Sequence, residues 1–227
     1  MTQKFTILFD LDGTLVDTAP DIIIAHNHVM KKFGFSTKSG NEIKALVGMG
    51  ARSMMSKTLW NSAKVELSKI KEKDIKDEMV KEFIKFYGDN ILVESKLING
   101  ASEFLKWCKK NKISMGVCTN KQEHLAIDLL KKIGINDYFE YVAGSNTFDY
   151  CKPDPRHLTS VIEIMGGDNK KTFMIGDSEI DAKSAQNASL PFILLEGGYT
   201  DVKTSQMKYD YLIKNFIGLD KIIKNYL

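Results

Sequence analysis

FTILFDLDGTLVDT, residues 5–18, joins a short strand-like run to two aspartates, Asp10 and Asp12, that are separated by one leucine. Residues 5–9 have the length and apolar character of a strand that is covered on both faces, as in a parallel sheet. Strand propensity does not account for the two carboxylates that follow. Because side chains alternate along an extended chain, Asp10 and Asp12 face one side and Leu11 faces the other. The stretch therefore predicts a central strand with a polar site at its carboxyl end.

Four further strand-like runs follow along the chain, at residues 113–119, 141–143, 172–176 and 191–195. Amphipathic segments separate these runs, such as residues 124–134, which close at Gly134 as a helix C-cap. Strands and helices in alternation predict an α/β fold with a doubly wound, Rossmann-like parallel sheet.

The chain between residues 17 and 95 has a different pattern. Strand-like runs are absent from it, and mostly apolar side chains recur at helical spacing, as in the series Ile22, Ile23, His26, Val29, Met30 and Phe33 before Gly34. The sequence thus predicts two domains. Residues 1–16 and 96–227 form an α/β core, and residues 17–95 form a helical domain inserted after the first strand.

The composition is typical of a cytoplasmic globular protein. Hydrophobic residues make up 43% of the 227 positions, which is enough for a sizeable core. The net charge is +3, and the lysine-rich stretches lack interleaved aromatic residues, so nucleic-acid binding is not expected. We expect no membrane association either, because no apolar run approaches the roughly 18 residues of a spanning helix and no signal-peptide pattern is visible. The three cysteines lack CxxC spacing, which favours reduced thiols. The oligomeric state stays open.

Polar residues follow the predicted strands at the edge of the sheet where open α/β folds bind ligands. They comprise carboxylates, a hydroxyl, an amide and an ammonium group: Asp10, Asp12, Thr119, Asn120, Lys152, Asp177 and Asp181. Carboxylates crowded in this way repel one another unless a cation lies among them, and Mg²⁺ prefers such oxygen ligands. We therefore expect a Mg²⁺ site. Gly13 lets the chain turn there, and its N–H can approach an anion closely.

These residues lie in four motifs that resemble those of the haloacid dehalogenase superfamily. FDLDGTLVDT resembles the first motif, DxDx[TV], and the others are Thr119 in VCTNK, Lys152 in CKPDP, and Asp177 with Asp181 in GDSEID. The helical insert is similar to the cap domain that this superfamily places after its first strand. Taken singly, Lys152 also suits a surface position and Asp181 a helix, but the order and spacing of all four motifs favour a common site.

The resemblance implies a phosphatase that works through an aspartyl-phosphate intermediate. It makes Asp10 the nucleophile, and it makes Asp12 the acid that protonates the leaving oxygen and the base that then activates water. The implied Mg²⁺ ligands are the side chains of Asp10 and Asp177 with the backbone carbonyl of Asp12, and Asp181 is implied either as a further ligand or as a residue that positions the ligands. The residues implied to bind or neutralise the phosphoryl group are Gly13 through its backbone, Thr119, Asn120 and Lys152.

Within the superfamily, the chain resembles phosphoglycolate phosphatase-like members most closely. The resemblance rests on LVGMGARSMM at residues 46–55, on TNK at residues 119–121, and on the GY pair at residues 198–199. We expect the amides of Gly48 and Gly50, with the guanidinium of Arg52, to close over the carboxylate of a small phosphorylated metabolite. The implied substrate is 2-phosphoglycolate.

Two alternatives remain open at this point. A β-phosphoglucomutase-like phosphosugar mutase or a sugar phosphatase shares every core motif and differs only in its cap contacts. A phospho-accepting signalling domain, which is a different class of protein, has an acidic cluster with a threonine and a lysine as well. It fits poorly because it is shorter, lacks a helical insert and has no need of Asp12.

Overall fold

The computed structural model of the protein describes residues 4–62 and 72–227. Its strands in chain order are β1 (Thr6–Phe9), β2 (Val16–Asp17), β3 (Lys96–Leu97), β4 (Ser114–Cys118), β5 (Tyr141–Ala143), β6 (Thr172–Gly176), β7 (Phe192–Leu195) and β8 (Tyr211–Ile213). Six of these strands form one sheet in the order β5-β4-β1-β6-β7-β8, and each neighbouring pair is parallel. The predicted parallel sheet is confirmed, with the predicted strand ends displaced by at most one residue.

Helices connect the strands. They are α1 (Ala19–Lys32), α2 (Gly40–Lys44), α3 (Ala51–Ser62), α4 (Glu72–Asp89), α5 (Ala101–Lys110), α6 (Glu123–Lys132), α7 (Arg156–Ile164), α8 (Glu179–Asn187) and α9 (Leu219–Ile223). Helices α1 to α4 pack against one another and supply the helical segment that the sequence predicted after β1. Across residues 4–62 and 72–227, no helix combines the length and apolar character that a membrane span requires.

Strand β1 is buried on both faces, as its continuous run of strand-forming residues predicted. Ile7 and Phe9 pack into the cluster that contains side chains of α5, α6 and α9, whereas Leu8 packs into the cluster beneath α7 and α8. Because both faces of the sheet are covered by helices, the α/β fold is doubly wound, as predicted.

The register of the central strands brings their carboxyl ends level. Phe9 lies opposite Val117 of β4 and Ile175 of β6, and the Asp10 N–H donates to the Ile175 carbonyl at 2.9 Å. The residues that follow β1, β4 and β6 therefore lie side by side at one edge of the sheet.

A short ribbon marks where the chain leaves and re-enters the α/β core. Strands β2 and β3 pair antiparallel, with Val16 opposite Leu97 and Asp17 opposite Lys96. Two residues are too few to produce a readable pattern, so the sequence did not predict this ribbon. The predicted boundaries of the helical domain, 16/17 and 95/96, lie within β2 and directly before β3, and that domain division stays a prediction.

Candidate active site

Lys152 joins two carboxylates at the carboxyl edge of the sheet. Its Nζ donates to Asp10 Oδ1 at 2.7 Å and to Asp181 Oδ1 at 2.6 Å, and all three side chains are buried. Asp181 is fixed from its other oxygen, which accepts from the Ser178 hydroxyl at 2.6 Å in the capping box that begins α8. The third and fourth motifs are thus bound directly to the first.

Asp177 is held from two sides beside this pair. Its Oδ1 accepts from the Thr14 hydroxyl at 2.6 Å, and its Oδ2 accepts from the Tyr199 backbone N–H at 2.7 Å. Asp10, Asp177 and Asp181 each have a carboxylate oxygen that lies within 4.8 Å of the other two. The site thus contains three buried carboxyl groups and one lysine.

The electrostatics of this cluster favour a bound cation. Burial raises the pKa of Asp10 to about 7 against the lowering effect of Lys152, and Asp181 adds repulsion. Burial, with the charges of Asp10 and Asp181, raises the pKa of Asp177 well above its usual range. The pKa of Lys152 is raised although burial opposes its charge, because the two carboxylates outweigh that effect. Crowded oxygen ligands of this kind fit a hard divalent cation such as Mg²⁺.

Asp12 has partners of its own. Its carboxylate oxygens lie 2.7 and 3.0 Å from Lys121 Nζ, and Oδ1 also accepts from the Thr18 hydroxyl at 2.7 Å. Asp10 and Asp12 therefore lie at the same edge of the sheet but are bound to different lysines.

The predicted phosphate-binding residues surround the same edge. Thr119 is buried directly after β4, and its hydroxyl accepts from the Lys121 backbone N–H at 3.1 Å. Gly13 has a φ of +84°, and a Cβ at this position would lie 2.4 Å from Asp177 Oδ2, so only glycine fits. Asn120 donates to the carbonyls of Gly48 and Lys152 at 3.2 and 3.1 Å.

The helical segment touches the core through the glycine-rich turn before α3. Gly48 accepts from Asn120, and Gly50, with a φ of +79°, lies so near that a Cβ would be 2.9 Å from the Asn120 carbonyl oxygen. These two glycines therefore lie beside Asn120, and the binding of a carboxylate by their amides stays a prediction. The expectation for Arg52 does not match the structure. Its side chain is 63% exposed, and its Nη1 donates to Asp77 on α4 at 2.6 Å.

Comparison with known proteins shows which family this chain belongs to. The pattern of the haloacid dehalogenase-like hydrolase family matches residues 7–195. This chain belongs to that family. The hydrolase is 38% identical over 212 residues to a phosphoglycolate phosphatase of Agrobacterium fabrum, covering 93% of this chain and 89% of the relative. It is 34% identical over 213 residues to one of Mesorhizobium japonicum, covering 94% and 92%.

A solved structure shares the whole architecture. A crystal structure described as a predicted phosphoglycolate phosphatase from Haemophilus somnus superposes with a TM-score of 0.91 at 28% identity, covering 98% of this chain and 99% of that one. The superfamily assignment from the four sequence motifs is confirmed, and the chain is a phosphoglycolate phosphatase-like hydrolase of phosphoric monoesters.

Sequence reasoning missed several residues that shape the site of this hydrolase. Lys121 was quoted only as part of the TNK motif, and Thr14 and Thr18 lie unremarked in the first motif. Tyr199 was recognised in the GY pair, but its contacts were not predicted. Its hydroxyl accepts from the Ala19 N–H at 2.9 Å and donates to Asp17. Hydroxyl side chains next to the motif aspartates were the available signal for the two threonines. The partners of Lys121 and Tyr199 are distant in sequence, so their contacts left no local pattern.

Proposed function

We propose that this hydrolase is a Mg²⁺-dependent phosphatase that converts 2-phosphoglycolate to glycolate and phosphate through an aspartyl-phosphate on Asp10. The observation that carries the proposal is the convergence of Asp10 with Lys152 at 2.7 Å and with two further carboxylates within 4.8 Å. The choice of substrate is supported by the names of the relatives from Agrobacterium fabrum and Mesorhizobium japonicum.

Asp10 is the nucleophile in this proposal. A carboxylate oxygen of Asp10 forms a bond to phosphorus as the bond between phosphorus and the leaving oxygen breaks, and Asp12 gives its proton to that oxygen. Water then attacks phosphorus and loses a proton to Asp12, while the bond between phosphorus and the Asp10 oxygen breaks. Phosphate is released and the Asp10 carboxylate is restored. Splitting hydrolysis into two displacements lowers the barrier of each.

Asp12 suits the acid and base role because its carboxylate is kept apart from the Asp10 cluster. Lys121 and Thr18 hold it, so its proton transfers do not depend on Lys152. A general acid must lie within hydrogen-bond reach of the atom that it protonates, and the two-residue spacing points Asp12 to the same side as Asp10.

The remaining residues position and neutralise the phosphoryl group. Asp10, Asp177 and Asp181, with the backbone carbonyl of Asp12, would hold Mg²⁺, which supplies positive charge to the phosphoryl oxygens when bound. Lys152 offsets charge at Asp10 and at the phosphoryl group. The Thr119 hydroxyl accepts from the Lys121 N–H and keeps its own proton to donate to a phosphoryl oxygen. Asn120 positions the phosphate site by donating both amide hydrogens to the carbonyls of Gly48 and Lys152, and Gly13, whose N–H donates to the Val16 carbonyl, lets the phosphoryl group approach the backbone closely. A preorganised donor such as Thr119 stabilises the charge of the transition state.

The helical segment belongs to the same proposal as a cap. We keep the division into a core of residues 1–16 and 96–227 and a cap of residues 17–95, because Gly48 and Gly50 contact Asn120 beside the site. The partner is a small phosphorylated metabolite, and we propose a cytoplasmic location, with no nucleic-acid or membrane partner.

Phosphate release from a panel of esters tests the proposal. The panel contains 2-phosphoglycolate, glucose 1-phosphate, a nucleoside monophosphate and p-nitrophenyl phosphate, each with Mg²⁺ and with EDTA. We expect Mg²⁺-dependent release with 2-phosphoglycolate giving the highest kcat/KM. A tenfold advantage for a sugar phosphate would retain the chemistry and replace the substrate. Conversion of a sugar phosphate to its isomer without release would identify a mutase, and an aspartyl-phosphate that persists for minutes would identify a signalling domain.

A further inference from the structure

A cavity between the helical segment and the core opens beside Asp12. Its walls from α3 and α4 are mostly apolar, and include Met54, Phe83 and Ile84. Among the described residues that line it, Lys121 is the only one with a cationic side chain. A leaving group attached to a phosphoryl group on Asp10 would extend past Asp12 into this space. Such walls offer few partners to the hydroxyl groups of a sugar.

Lys121 is buried at the floor of the cavity, with 8% of the residue exposed. Its ammonium contacts both carboxylate oxygens of Asp12 at 2.7 and 3.0 Å. An ammonium group has three N–H donors, and these two contacts use at most two of them. One donor is left for a second anion.

Tyr87 of α4 faces the same ammonium from the cap side. Lys121 Nζ lies 4.4 Å from the centroid of its ring. Tyr87 lines the same cavity and is 1% exposed, and its buried hydroxyl has no hydrogen-bond partner among the residues that the structure describes. Burial raises the pKa of Tyr87 well above its usual range, so the hydroxyl stays a donor. A buried hydroxyl without a partner is costly unless a ligand supplies one.

We propose that Lys121 and Tyr87 together bind the carboxylate of the substrate's leaving group. The sequence had predicted this role for Arg52. This inference rests on the proposed function and adds the residues that select its substrate. Arg52 is unsuited to the task because its guanidinium is exposed and paired with Asp77. One of the two donors belongs to the core and the other to the cap, so a carboxylate bridges the two parts of the chain.

The arrangement favours a short leaving group. In 2-phosphoglycolate, the carboxylate and the ester oxygen are attached to the same carbon. Lys121 contacts Asp12, which protonates the ester oxygen, so a carboxylate bound to Lys121 holds that oxygen near its proton donor. An additional methylene group between the carboxylate and the ester carbon would separate the two contacts. The site therefore selects phosphate esters of 2-hydroxy acids.

The test compares 2-phosphoglycolate with 2-phosphoglycolamide, in which an uncharged amide of similar shape replaces the carboxylate and the phosphate is kept. The measured quantity is the ratio of kcat/KM for the acid to that for the amide, because a change that affects both substrates through Asp12 cancels in the ratio. We expect the wild-type ratio to fall about 10- to 100-fold in Lys121→Met and about 3- to 20-fold in Tyr87→Phe, as for the loss of a hydrogen bond to a charged group. Tyr87→Phe keeps the ring beneath the ammonium.

Matched controls are Lys132→Met and Tyr209→Phe, which change exposed residues of the same types. Their ratios should equal that of the wild type. An unchanged ratio in Tyr87→Phe and Lys121→Met, in a wild type that prefers the acid, overturns this inference and leaves the proposed function intact. So does a ratio that falls in Arg52→Met instead.

Two further outcomes complete the test. Wild-type enzyme that hydrolyses p-nitrophenyl phosphate but does not prefer the acid to the amide overturns the proposed substrate and this inference with it. If circular dichroism shows Lys121→Met to be unfolded, inhibition by glycolate and by glycolamide is measured with wild type and Tyr87→Phe. A preference for glycolate that Tyr87→Phe weakens supports the carboxylate site, and an equal effect of both inhibitors on both proteins overturns it.

Discussion

Asp10 and Asp12 are two residues apart, yet their carboxylates have different hydrogen-bond partners. Asp10 shares Lys152 with Asp181 and lies in a cluster of buried carboxylates, where its pKa is raised to about 7 mainly by burial. Asp12 is bound instead to Lys121 and Thr18. Two identical side chains thus have different contacts, which supports the different roles proposed for them, since proteins separate a nucleophile from an acid by their environments.

Replacing Asp10 tests the nucleophile at this scale. Asp10→Asn should lower kcat at least about 10³-fold, because an amide cannot form the acyl phosphate. The fold should persist, since asparagine has nearly the same shape and Lys152 keeps Asp181 as its partner. Phosphate release and thermal unfolding by circular dichroism measure the two effects. Asp128→Asn, at an exposed ion pair with Lys132, is the control. Turnover within tenfold of wild type would show that another group attacks phosphorus.

At the scale of elements, helix α1 anchors the segment that returns the chain to the core. The carboxylate of Asp21 in its first turn accepts from the backbone N–H groups of Val93, Glu94 and Ser95 at 3.0 to 3.2 Å, and from the Ser95 hydroxyl at 2.6 Å. A single buried side chain therefore ties the beginning of the helical segment to its end.

Asp21→Asn should destabilise the protein by about 1–3 kcal/mol, because an amide nitrogen cannot accept and leaves buried donors without a partner. Urea unfolding measures the change in free energy. Asp89→Asn is the matched control on α4, where the carboxylate is exposed and pairs only with Lys85 among the described contacts. A loss equal to that of the control would mean that the anchor contributes no stability.

The helices and strands also show how much of the fold and the site could be predicted from the sequence. The central strands of the parallel sheet were predictable because β1, β4 and β6 are buried on both faces and carry mostly apolar runs. The edge strand β8, of three residues, was not among the predicted runs. The clustering of the polar residues that follow the central strands, such as Asp10 and Asp177, was predictable because the carboxyl ends of parallel strands meet at one edge of the sheet. The position of Arg52 was not, because its choice of Asp77 depends on how α3 and α4 pack. Nor was the pairing of Lys121 with Tyr87, which are 34 positions apart in sequence and are joined by tertiary contact alone.

At the scale of the whole molecule, the helical segment contacts the rest of the chain around the site at several places among the described residues. Asn120 donates to Gly48, Lys121 lies against Tyr87, and the Tyr199 hydroxyl accepts from Ala19 at the start of α1. Tyr199 also donates from its backbone to Asp177. The position of the proposed cap is thereby linked to the proposed acid and base residue and to a proposed metal ligand, so movement of the helical segment would change the contacts of both.

The stability of the whole molecule should fall at acid pH through His157, a buried residue of α7. Its Nε2 lies 3.2 Å from the Gly144 carbonyl oxygen, and burial, with the nearby charge of Lys152, lowers its pKa to about 4. The unfolded chain takes up this proton near pH 6.5, so between about pH 6.5 and 4 the unfolded state binds more protons than the folded state. Folding free energy is therefore lost as the pH falls through this window, by about 1–3 kcal/mol from this group.

His157→Gln should weaken that pH dependence, because a glutamine amide can donate to Gly144 and does not titrate. Urea unfolding at pH 7.5 and at pH 5.0 gives the loss of free energy for each protein, and the loss should be smaller in the variant. Groups common to both proteins cancel in the comparison, including the buried His26. His124→Gln, at an exposed position of α6, should keep the wild-type loss. An equal loss in wild type and His157→Gln would show that the acid sensitivity of the fold arises from other groups.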